Sequence, residues 1–66
     1  MKVDVNGEAM ERPAGETLAA VLATLGAGSG RVAVVLNDEV VPAAAHATQQ
    51  LAECDRVEIL NFAGGG

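Results

Sequence analysis

The sequence predicts an α+β fold in which one main helix packs on one face of a mixed sheet of four to five strands. Three observations predict it. Val3 and Val5 alternate with polar residues and run into Asn6-Gly7. Leu18, Val21, Leu22 and Leu25 recur at the helical i, i+3, i+4, i+7 spacing. Two later stretches, residues 31–37 and 56–62, are rich in Val, Ile and Leu and bounded by turn residues.

The first strand presents Val3 and Val5 to one side and Lys2 and Asp4 to the other. Asn-Gly tolerates the positive φ angles of a tight hairpin turn, so residues 9–12 return as a second strand. Pro13, which has no N–H for the ladder, ends it. Thr17 then caps a helix, Glu16 puts negative charge near its positive end, and Gly26 suits the left-handed residue that closes it. The Gly-Ser-rich residues 26–30 form a connection. A phosphate-binding loop needs a Lys-Ser/Thr pair opening a helix, whereas here Arg31 opens a strand.

In residues 31–37, Val32, Val34 and Leu36 fall on one face and Ala33 and Val35 on the other, so both faces are apolar and the strand belongs inside the sheet. Asn37-Asp38-Glu39 reads as a turn and Val40-Val41 as a short strand stopped by Pro42. Residues 43–51 lack an amphipathic stripe and predict a short helical turn with irregular structure. Glu53-Cys54-Asp55 turns the chain into the last strand. Strand, strand, helix, strand, short strand, strand is the order of a β-grasp domain, with the terminal strand beside the first. Residues 1–62 form that domain and residues 63–66 a flexible glycine tail.

Pleating directs Val57 and Ile59 toward the helix and Leu60 and Phe62 away from it. With Ala33 and Val35, Leu60 and Phe62 then make an apolar patch that no second helix remains to cover, which predicts a partner-docking surface. Beyond Phe62 come Ala63, Gly64, Gly65 and Gly66. Four extended residues reach about 13–14 Å at roughly 3.3–3.6 Å each. Side-chain-free Gly64 and Gly65 suit threading into a narrow cleft, with the Gly66 carboxylate at the tip as a group that other proteins activate.

Composition narrows the function classes. A chain of 66 residues makes one domain with a thin core and no deep substrate cavity, which argues against an autonomous enzyme. Nine acidic and four scattered basic residues give a net charge of -5, contrary to the clustered cations of a nucleic-acid binder. The lone Cys54 can form no internal disulfide and no run of 18 apolar residues is present, so the expected setting is a reducing cytoplasm without a membrane span. Cys54 has no nearby His or second Cys in sequence and reads as incidental. His46 reads as a surface histidine and Asp38-Glu39 as a solvated turn; no metal site or catalytic residue is assigned.

Four stretches together resemble the ThiS family of ubiquitin-like sulfur carrier proteins. They are Val5-Asn6-Gly7, Gly15-Glu16-Thr17-Leu18, the run Val-Ala-Val-Val-Leu-Asn-Asp-Glu-Val-Val-Pro over residues 32–42, and Asp55-Arg56-Val57-Glu58-Ile59 leading to the glycines. The family ends in paired glycines, matched by Gly65 and Gly66, with Gly64 additional. The resemblance implies a carrier for thiamine biosynthesis that binds no cofactor itself. A partner adenylyltransferase related to ubiquitin-activating enzymes uses ATP and magnesium to convert the Gly66 carboxylate to an acyl-adenylate. A sulfur-delivery protein supplies the sulfur that makes it a thiocarboxylate, and thiazole synthase accepts that sulfur. Three other readings use the same features: a carrier for molybdopterin or another sulfur pathway, a ubiquitin-type protein modifier, and a noncovalent β-grasp interaction module.

Overall fold

The computed structural model describes residues 1–26 and 32–61, with residue 61 described in its backbone. Five strands and one helix follow the predicted order: β1 (Lys2–Val5), β2 (Glu8–Glu11), α1 (Leu18–Thr24), β3 (Val32–Leu36), β4 (Glu39–Val41) and β5 (Arg56–Asn61), with a 3-10 turn at Ala43–Ala45. The sheet order is β2-β1-β5-β3-β4. Only β1 and β5 run parallel; β1–β2, β3–β4 and β3–β5 are antiparallel. This is the β-grasp arrangement, and the last strand in the chain is its central one. Residues 31–37 were expected to supply an interior strand, and β3 lies between β5 and β4.

The alternating pattern places Val3 and Val5 of β1, Val34 of β3, Val41 of β4 and Val57 of β5 against Leu18, Val21 and Leu22 of α1. All of these are buried, and Leu18, Val3, Val21 and Val34 are fully so. Leu25 departs from the predicted stripe and is 42% exposed. It occupies the C-cap, where its N–H still bonds Val21 O, while Gly26 at φ 77 turns the chain away and donates to Ala23 O. The remaining core position is filled by Leu51, which comes from the irregular stretch rather than from the helix.

That stretch, residues 42–51, folds against the start of α1. The Leu18 N–H donates to Gln49 O and the Ala19 N–H to His46 O, at 2.9 and 3.0 Å. The Ala20 N–H donates to Thr17 Oγ1, which makes Thr17 the predicted cap. Together they satisfy the first-turn donors that a helix leaves open. Glu16, one residue before the cap, is held through both carboxylate oxygens by the Arg12 guanidinium, which also reaches Thr24 Oγ1. The described helix is too short to cross a membrane.

Candidate functional site

Every strand that buries alternate residues against α1 must turn the others outward. On β5 the outward positions are Arg56, Glu58 and Leu60; on β3 they are Ala33 and Val35; on β4 it is Val40. Cross-strand register sets Ala33 opposite Leu60, and Val35 opposite Glu58 on one side and Val40 on the other. Leu60 is 54% exposed and Val40 72% exposed, while Ala33 and Val35 are half-buried between them. The structure therefore brings three predicted patch residues, Ala33, Val35 and Leu60, onto one face. Phe62, Gly64, Gly65 and Gly66 lie outside the described residues, as do residues 27–30 of the predicted connection and Arg31, expected to open the strand that follows it.

Val40 is a patch residue that sequence reasoning missed. The signal was present in the Val40-Val41 pair: neighbouring strand residues point to opposite faces, so when Val41 enters the core Val40 must leave it. The opposite side of the same face is charged. Lys2 and Asp4 on β1 and Glu11 on β2 lie there, with Arg56 bridging from β5 to Asp38 at 2.9 Å. Isolated exposed hydrophobic residues are ordinary on a protein surface. Among the described residues, Ala33, Val35, Val40 and Leu60 on adjacent strands form one outward apolar row, with Glu58 beside Val35 and the charged residues of β1 and β2 beyond it.

β5 has more backbone pairs on one flank than on the other. β3 pairs with β5 from Val57 through Asn61, whereas β1 pairs with it only at Arg56 and Val57. Its start is fixed by Asp55, whose carboxylate accepts from the Ala52 N–H at 2.7 Å and the Asn37 side-chain amide at 3.0 Å. The chain thus enters and traverses the sheet in a defined line, ending next to the first residue of β3.

The other polar residues have structural roles. Cys54 is exposed on a turn at φ 69, and its main-chain N–H donates to Lys2 O. His46, expected at the surface, is half-buried: its Nε2 lies 3.1 Å from Val41 O and its carbonyl serves α1. The correction follows from residues 42–51 packing onto the helix rather than lying free. Asp38 pairs with Arg56 in solvent and Glu39 is exposed, as a solvated turn requires. Among the described residues no group of three His, Cys, Asp or Glu side chains is placed to hold a metal. The depressions of about 240 Å³ beside Asp4 and Arg56 and about 310 Å³ beside Val40 and Pro42 are open to solvent.

Comparison with known proteins is consistent across sequence and structure. The ThiS family model matches residues 3–66. A thiazole synthase from Paramagnetospirillum magneticum (strain ATCC 700264 / AMB-1) is 41% identical over 66 residues, which is 100% of this chain and 20% of that protein. A thiazole synthase from Magnetococcus marinus (strain ATCC BAA-1437 / JCM 17883 / MC-1) is 39% identical with the same coverage. The chain therefore spans about a fifth of the length of these relatives. The crystal structure of a thiamine biosynthesis protein (ThiS) from Geobacter metallireducens matches with a TM-score of 0.84 and 30% identity over 100% of both chains. An NMR structure of a thiamine biosynthesis protein from the same organism gives 0.76 and 32%, covering 100% of this chain and 88% of that one.

Proposed function

The chain belongs to the ThiS family, and from that premise we propose that it is a sulfur carrier of thiamine biosynthesis, with the Gly66 carboxylate as its reactive group. The observation that carries the proposal is the family match running through residue 66, over the Gly64-Gly65-Gly66 sequence that follows the central strand. A partner adenylyltransferase supplies ATP and magnesium. A carboxylate oxygen of Gly66 attacks the α-phosphorus, pyrophosphate leaves, and the acyl carbon acquires AMP as a good leaving group. Sulfur from a delivery protein then attacks that carbon and displaces AMP. Where that sulfur is the outer sulfur of a persulfide on the delivery protein, the product is an acyl disulfide, and a thiol then attacks the donor's sulfur, forming a disulfide with it and leaving the thiocarboxylate on Gly66, which thiazole synthase consumes.

The carrier's own contributions are presentation and recognition. Gly64 and Gly65 pass where a Cβ would obstruct, and the Ala33, Val35, Val40 and Leu60 row docks the activating enzyme, with Phe62 assigned to the same role from the sequence alternation alone. Two relatives named thiazole synthase, each about two-fifths identical over this chain, support thiazole synthase as the acceptor. The carrier performs none of the bond changes itself and is a protein substrate.

The test is intact mass spectrometry of the purified chain, with Gly66 carrying a free carboxyl, after incubation with the matched adenylyltransferase, ATP, magnesium and a sulfur source. The expected product is heavier by the exchange of one oxygen for sulfur, localised to Gly66. Gly65→Val is expected to remain folded and unmodified. Absence of the mass gain in the wild-type chain, or wild-type modification of Gly65→Val, refutes the proposal.

A further inference from the structure

We propose that Asn6 and Asn37 are positioning residues that hold the tail-bearing strand from its two sides, each substituting its side-chain oxygen for its own backbone carbonyl. The functional part rests on the reading above that the end of β5 presents the reacting tail.

The ladder geometry identifies the substitution. Between the parallel strands, the Asp4 N–H donates to Asp55 O at 2.9 Å and the Asn6 N–H to Val57 O at 2.8 Å. The next rung of a parallel ladder runs from the Ile59 N–H to the backbone carbonyl of residue 6. Asn6 has φ 53, and this left-handed conformation turns the chain into the hairpin. Its side-chain Oδ1 accepts from the Ile59 N–H at 2.8 Å in place of the main-chain oxygen.

The same exchange occurs across the sheet. An antiparallel hydrogen-bonded pair trades two main-chain bonds. Here the Asn37 N–H donates to Arg56 O at 2.8 Å, but the Arg56 N–H donates to Asn37 Oδ1 at 2.9 Å. Asn37 is also left-handed, at φ 49. Its amide nitrogen donates to Asp55 Oδ1, so both ends of the side chain are used and its orientation is determined. Glycine would keep either backbone conformation but provide no acceptor. Asparagine provides both.

Asn37 fixes where β5 begins, and Asn6 lengthens its β1 flank by one rung toward the outgoing end. Without the Ile59 rung, that flank is main-chain bonded only as far as Val57. A strand end that opens leaves a smaller fraction of carriers aligned for the activating enzyme, and apparent affinity falls in proportion to the competent fraction. The chemical step on an aligned tail is unaffected.

Asn6→Gly and Asn37→Gly keep the backbone conformation and remove the acceptor, while Asn6→Asp restores an oxygen on β5's β1 flank. In native-state amide exchange of the whole chain, Asn6→Gly is expected to speed Ile59 exchange at least about fivefold, the loss of one net hydrogen bond. Glu58, which faces β3, stays protected, and Asn6→Asp restores Ile59. Asn37→Gly acts likewise on Arg56. With the matched adenylyltransferase and ATP-magnesium, both glycine variants should raise KM for the carrier at unchanged kcat, and Asn6→Asp should return KM toward wild type.

Unchanged Ile59 exchange in Asn6→Gly overturns the inference. So does adenylation of the wild-type chain combined with a wild-type KM, or a loss in kcat alone, in both glycine variants. A wild-type chain that is never adenylated while Ile59 exchange still depends on Asn6 instead refutes the carrier reading, and the positioning role with it.

Discussion

Leu60→Ala tests the proposed docking role of the outer face apart from its contribution to folding. Full burial of a leucine side chain is worth about 1.5–3 kcal/mol. Because 54% of Leu60 remains exposed in the free domain, a partner that covers the rest gains about 0.8–1.6 kcal/mol from it, or roughly a four- to fifteenfold factor in Kd. Truncation to alanine forfeits most of that gain. Calorimetric titration of the purified chain with its matched adenylyltransferase measures the loss. Unfolding in urea, followed by circular dichroism, is the control, and a small shift in midpoint is expected because Leu60 lies outside the buried core. A folded variant whose Kd stays within about twofold of wild type refutes the docking assignment, since the full area argument requires at least about fourfold.

Two further predictions concern the body of the domain. Leu18→Ala should destabilise by about 2–5 kcal/mol, because Leu18 is fully buried where α1 meets the sheet. This approaches the total of about 3–10 kcal/mol expected for a chain of this length. Urea denaturation checks it, and a loss below about 1 kcal/mol contradicts the packing. The second prediction is a pH dependence. The hydrogen bond from Arg12, followed by its charge, holds the Glu16 carboxyl below the ordinary glutamate range despite opposing desolvation. A lowered folded-state pKa means that the contribution is present above the unfolded value of about 4.3 and is lost as pH falls through the folded value. Glu16→Gln should therefore lie below wild type in urea midpoint at neutral pH, with the gap closing in acid. A gap independent of pH contradicts this coupling.

The parts of the fold legible in the sequence are those whose cause is local. Asn6-Gly7 specifies the hairpin through its two positive φ values, and Val3, Val5, Val21 and Leu22 reach the core because strand and helix periods put them there. Leu25 satisfies the same helical period yet lies at the C-cap, where the period stops governing direction. Residues 42–51 carry no period. Their conformation follows from partners more than 20 residues away in sequence, the N–H groups of Leu18 and Ala19 and the carbonyl of Glu16. The outward apolar row was legible in Ala33, Val35 and Leu60 because alternation is local; Phe62, Gly64, Gly65 and Gly66, the other residues singled out in the sequence, lie outside the described residues. Asn6 and Asn37 are visible in sequence as turn residues. That each also completes a rung with β5 becomes visible only when strand neighbours distant in sequence are paired.

The central position of β5 has a second consequence. Without it, the sheet divides into the β1–β2 hairpin and the β3–β4 hairpin, since β1 and β3 meet only through β5. Two-stranded hairpins are marginal on their own in water, so the pairs that complete the sheet are those β5 makes on both flanks. Val57 also enters the core between Val5 and Leu36, its register partners on the two sides. The strand that precedes Gly64-Gly65-Gly66 in sequence is therefore the strand whose insertion joins the two hairpins of the sheet. An edge strand could peel away with the rest of the sheet intact; a central one ties orderly presentation of the following residues to completion of the fold.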